Sequence, residues 1–102
     1  MFIHKVVIMR PDTTHDFYYN VSGVLNDPHY LNLANQAKAD GKMISEELTI
    51  SEDQTMLERT VQWDSEQSFT DFFNQWLIYR PNYKTELQTY SKSVDHYAIL
   101  VT

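Results

Sequence analysis

At 102 residues and 12.1 kDa the chain can hold one hydrophobic core but not two, so residues 1–102 are read as a single domain. The absence of cysteine excludes a disulfide framework, a zinc knuckle, an iron–sulfur cluster and a thiol nucleophile. Eight basic against fourteen acidic residues give a net charge of −6. The bases form no run, which argues against nucleic acid or an anionic membrane as partner.

Phe2 to Arg10 is dense in β-branched residues and stops at Pro11-Asp12, which predicts a strand. It is too short for a membrane span and ends without a small-residue cleavage site, so it is not read as a signal peptide. No apolar run elsewhere approaches a span, and a cytoplasmic protein is expected. Apart from His4 on one face and Lys5 on the other, this strand is apolar on both sides, the mark of a central strand.

Asp12 to Asn26 carries no clear period; Phe17, Tyr18, Tyr19, Val21, Val24 and Leu25 fit either an irregular helix or an extended loop. Asp27-Pro28 starts a helix, with Asp as cap and Pro in the first turn, and Gly41 ends it. From Lys42 to Ser51, Ile44, Leu48 and Ile50 share a face with Glu46. A polar turn over 51–54 leads to a strand, Met56 to Trp63, with Leu57, Arg59, Val61 and Trp63 on one face. Asp64 and Gln67 form a capping-box pattern. Phe69, Phe72, Phe73, Trp76 and Leu77 then recur at helical spacing, until Arg80-Pro81 breaks the helix. A last helix carries Tyr83, Leu87 and Tyr90. In the closing strand, Ser93 to Val101, His96, Ala98 and Leu100 alternate against Tyr97, Ile99 and Val101.

The order β-α-β-β-α-β predicts an α+β, ferredoxin-like fold, a four-stranded antiparallel sheet with helices on one face. Right-handed crossovers give the strand order 4-1-3-2. The bare face of such a sheet cannot be wholly polar here, because the first strand is apolar on both sides. A second copy packed sheet to sheet would hide it, so a homodimer is expected. Fourteen aromatic residues exceed what one small core needs, and the remainder is expected in a ligand cavity or a subunit interface. RNA-recognition modules share the element order, but Met56 to Trp63 lacks their pattern of exposed aromatics and a basic flank.

Over nearly its whole length the chain resembles the dimeric α+β barrel superfamily, which includes the antibiotic-biosynthesis monooxygenase-like proteins. The sharpest local match runs from Val61 through Trp63 and Ser65-Glu66-Gln67-Ser68 to Phe69, followed by Phe72 and Phe73. The resemblance implies a ligand cavity between sheet and helices, with Trp63 as an aromatic wall. Two departures bear on activity. The polyketide-oxidising branch carries an Asn about one helical turn before this Trp and a Tyr after it, where this chain has Arg59 and Phe69. The haem-degrading branch carries a His where this chain has Phe73, so no haem is expected, and no other cofactor or metal.

Within that frame His4, Arg59 and His96 are the candidate catalytic residues. Arg59 either holds a substrate carboxylate or enolate, or pairs with Glu46 across the hairpin, or reaches out to solvent. His4 and His96 fall on neighbouring strands and would move a proton. Trp63, Phe69, Phe73, Trp76 and Tyr97 are the candidate ligand-binding residues. His15 and His29 fall in loop or cap positions and are expected to face solvent. Two functions follow. One is a small dimeric barrel, non-catalytic or binding a small apolar or aromatic ligand between sheet and helices. The other is a cofactor-independent monooxygenase-like or isomerase-like enzyme acting on an aromatic or enolisable molecule.

Overall fold

A computed structural model describes residues 1–100. β1 (Phe2–Met9) leads through α1 (Tyr18–Ser22) and a short 3-10 turn (Val24–Asn26) to α2 (Pro28–Ala39). The hairpin β2 (Met43–Ile50) and β3 (Met56–Trp63) follows, then α3 (Glu66–Tyr79), α4 (Tyr83–Tyr90) and β4 (Ser93–Leu100). The four strands form one antiparallel sheet in the order β2-β3-β1-β4, as expected. Val101, expected to end the last strand, lies outside the described residues.

Alternation sorts the sheet into two faces. Phe2, His4, Val6 and Ile8 of β1 and Leu57, Arg59, Val61 and Trp63 of β3 are buried beneath the helices. Ile3, Lys5, Val7 and Met9 point to the open face, where Lys5 pairs with Glu58 and lies beside Tyr97. The open face is therefore apolar at Ile3, Val7 and Ile99 and charged at its centre. On the other side the helices cover β1 and β3 but reach β4 only near its start, where Val94 packs against the core. His96, Ala98 and Leu100 share the helix side, by their pairing with Val6, His4 and Phe2, yet remain exposed.

Local chemistry fixes the helix ends. The Asp27 carboxylate accepts from the His29 N–H at the start of α2. At its other end Gly41 takes φ +72°, the Gly41 N–H bonds to the Lys38 carbonyl, and the Lys42 N–H bonds to that of Ala37. This is a Schellman termination, and the positive φ at Gly41 favours glycine there. At α3 the cap is Ser65, whose hydroxyl accepts from the Ser68 N–H, and not Asp64 of the expected capping box. In β2 the ladder slips between Met43 and Ser45, so that Met43 pairs with Trp63 and Ile44 is left exposed. Glu46, Leu48 and Ile50 keep the shared face expected for them; Ile44 does not join it.

The undecided stretch after β1 becomes a short helix and a 3-10 turn. Phe17, Tyr18, Tyr19 and Val24 are buried there. Tyr18 bonds to Glu86 and Tyr19 to Tyr83, both on α4. Contacts with α4 thus tie down a segment with no period of its own.

Candidate functional site

Helices α2, α3 and α4 meet the sheet through rings. Trp63 lies 5.1 Å from Phe72 and 5.9 Å from Phe69, and Tyr30 lies 5.5 Å from Trp76, centroid to centroid. This layer is almost filled. Its interior holds a cavity of only about 20 Å³, bordered by His4, Tyr19, Tyr30, Arg59, Trp63 and Tyr83 among others. That is the scale of a water molecule and far below an aromatic ring. The centre of the layer between sheet and helices, over β1 and β3, is thus closed to a ring.

Arg59 is buried inside this layer and paired. Its Nη2 donates to Glu46 at 2.5 Å, as the hairpin alternative anticipated, and to the Tyr30 hydroxyl. The Tyr30 hydroxyl in turn donates to Glu46 at 2.6 Å. Burial alone would raise the Glu46 carboxyl, but the Arg59 guanidinium and these hydrogen bonds hold it below the usual range. Arg59 therefore meets its counter-ion within the protein, and its Nη2 is already engaged.

The larger opening lies beside β4, where the helices stop short. A cleft of about 430 Å³ separates α3 and α4 from the exposed strand. Phe69, Phe73, Leu77 and Leu87 form apolar walls, Thr70, Asn74, Lys84 and Gln88 stand among its polar residues, and His4 and His96 border it from the sheet. The cleft results from the strand order: β4 is an edge strand, and the α3 stripe is centred on β1 and β3. Within that stripe Phe72 and Trp76 are buried, whereas Phe69 and Phe73 are half-buried and border the cleft.

Neighbouring strands bring the two imidazoles together. His96 Nδ1 lies 3.4 Å from His4 Nε2, the rings are nearly parallel, and His4 also lies 4.4 Å from the Phe69 ring. Burial, then the proximity of His96 and of Arg59, lowers the His4 pKa to about 4. His96 is lowered as well, by burial and then by Lys84. Both shifts favour the uncharged ring at neutral pH, and an uncharged imidazole can accept a proton from a neighbour in the cleft.

The structure brings His4, His96, Phe69 and Phe73 to the cleft and His4, Arg59, Trp63, Phe69, Phe73 and Trp76 to the small inner cavity. Tyr97 is the exception and corrects the expected ligand set. It is one residue out of phase with His96, pairs with Lys5 on the open face, and is 50% exposed. Tyr30, Lys84 and Gln88 escaped sequence reasoning. Tyr30 sits on a helix that the sequence marks only by its ends, and the α4 polar residues carry no motif. Of the two other histidines, His29 stacks on Tyr79 and His15 bonds to Asp12, both on the exterior. Among the described residues no group of three or more His, Asp or Glu gathers as a metal site, and no helix is long and apolar enough to cross a membrane.

No protein-family model matches the chain, and no curated protein matches it in sequence. Solved structures do match. A dimeric ferredoxin-like protein from an uncultured marine organism superposes with a TM-score of 0.72 at 11% identity, over 99% of this chain and 88% of its own. Rv0793 from Mycobacterium tuberculosis gives 0.64 at 12% identity, over 100% and 96%. An antibiotic biosynthesis monooxygenase gives 0.55 at 12% identity, over 100% and 97%. The chain has their ferredoxin-like fold. Identities this low carry the architecture alone, and chemistry has to be argued from the side chains.

Proposed function

We propose that the protein is a homodimer whose protomers each bind a small apolar or aromatic molecule in the cleft between α3, α4 and β4. The observation that carries the reading is a contrast of volumes: about 430 Å³ beside the histidine pair, against about 20 Å³ inside the layer. The larger value falls in the range of small-molecule sites, and its walls combine aromatic and aliphatic side chains with a few polar groups. Self-association is supported by the apolar residues on the open face of the sheet and by the dimeric neighbour of the same fold. The absence of a basic run and the net charge of −6 speak against nucleic acid and membrane surfaces as partners.

A second reading has its own support. The uncharged His4 and His96 border the same cleft, so a bound acidic C–H or O–H could pass its proton to an imidazole, as in a cofactor-independent monooxygenase-like or isomerase-like enzyme. Arg59 is a poor candidate for holding the resulting anion in that cleft, because it borders the inner cavity and not the cleft.

A thermal-shift screen of small aromatic compounds tests binding, with Thr70→Trp as the blocking variant. Thr70 is exposed at the cleft wall, so the new ring fills the space without removing core. Compounds that stabilise the wild type should lose the effect in this variant. Stabilisation that survives Thr70→Trp would place the guest elsewhere. His96→Phe separates the two readings: binding retained with turnover lost marks an enzyme, and no turnover of any bound compound by the wild type marks a binding protein.

A further inference from the structure

Two buried N–H donors at the inner cavity have no acceptor among the described residues. Arg59 Nε–H and Trp63 Nε1–H make no hydrogen bond, and their residues are 9% and 2% exposed. Both residues border the inner cavity of about 20 Å³. Buried N–H groups without partners are rare, because each carries the full cost of leaving water. A third hydrogen is available at its border. Tyr19 and Tyr83, which also border it, bond hydroxyl to hydroxyl at 2.9 Å; one donates, and the accepting hydroxyl keeps its own hydrogen to place.

We propose that this cavity is a binding site for one small inorganic anion of halide size, separate from the cleft beside β4. The stoichiometry of donors favours an anion over water. A water could accept both N–H groups, but its own hydrogens would have to go to the Tyr19, Tyr30 or Tyr83 hydroxyls, which are already hydrogen-bonded to one another or to Arg59 and Glu46, because the Phe69, Phe72, Phe73 and Trp76 rings offer no strong acceptor. An anion takes the guanidinium, indole and phenol hydrogens together and donates nothing. Glu46 and Tyr30 occupy only Nη2 of Arg59, so Nε remains for the anion, and the charge-assisted bond offsets part of its lost hydration. His4, Phe69, Phe73 and Tyr83 border both the cavity and the outer cleft, which gives the anion an entry through their side-chain motion.

Bromide is the probe, with gluconate, too bulky to enter, as the matched salt at constant ionic strength. Bromide should raise the unfolding midpoint saturably, by about 4 °C or more, where gluconate does not. It should shift the Trp63 indole N–H resonance, and crystals grown with it should show an anomalous peak between Arg59 and Trp63. Trp63→Phe should weaken the bromide effect about tenfold. Where that variant fails to fold, the wild-type indole resonance and anomalous map decide alone. Equal responses to both salts, an unmoved indole resonance and no anomalous peak would mean that the cavity holds water only, and would overturn the proposal. Ligand binding in the outer cleft is measured separately through Thr70→Trp and does not depend on this result.

Discussion

His4 is the residue whose protonation the fold resists most plainly. Its pKa lies near 4 in the folded chain against an ordinary 6.5, so the unfolded chain binds more protons between these values. The stability that His4 contributes is therefore complete above pH 6.5 and is lost as the pH falls toward 4. Denaturant titration should show a loss of about 2 kcal/mol between pH 7.5 and pH 5, and His4→Phe should remove most of that slope. A flat profile in the wild type would show that the ring protonates without cost. The Arg59–Glu46 pair calls for a different measurement. Arg59→Met leaves the half-buried Glu46 carboxylate with only the Tyr30 hydroxyl and the more distant Lys38 and should cost about 2–4 kcal/mol. Arg59→Met with Glu46→Gln should cost less than Arg59→Met alone, and additive losses in the cycle would contradict the coupling. Legibility varied between these residues. The hairpin spacing already made Glu46 a partner for Arg59, but the Tyr30 hydroxyl arrives from another element and no local spacing announces it. Tyr97 was excludable from the start, since alternation with His96 alone sends it to the other face.

At the scale of elements, the strands and long helices were readable because one periodicity governs each, and the exceptions fall where a local choice is nearly even. Asp64 and Ser65 are both good caps in adjacent positions, and the backbone selects Ser65. Ser65→Ala should destabilise by about 1 kcal/mol while Asp64→Ala changes stability by a few tenths at most, as read from chemical denaturation. The reverse order would restore the capping box at Asp64. The slip between Met43 and Ser45 left no mark in composition, since Met43 and Ile44 are equally suited to burial. The stretch from Asp12 to Asn26 had no period to read. Its rings are buried by partners on α4, roughly 65 residues away, and a segment organised by such contacts looks like a loop in sequence.

For the whole molecule, the strand order set the outcome more than any single residue. Placing β4 at the edge leaves a strip of sheet beyond the reach of α3 and α4, and the cleft follows. The sequence contained the histidines and rings that border it, but not the volumes, because filling of the inner layer depends on how Trp63, Phe72, Trp76 and Tyr30 interlock. The open face bears on assembly. Val7→Glu replaces an apolar residue of that face with a further carboxylate beside Glu58 and Asp95 and should shift the proposed dimer to monomer in sedimentation, with the monomer still folded. A wild type that sediments as a monomer at high concentration would remove the dimer from the account. The location of the guest is tested most directly by nuclear magnetic resonance of the wild type with an aromatic compound found in the screen. With the guest in the cleft, the largest shifts fall on the imidazole signals of His96 and His4 and the ring signals of Phe69 and Phe73. Shifts centred instead on Tyr97 and Ile99 of the open face, or on Leu31 and Leu48 beside Glu46, would contradict that placement.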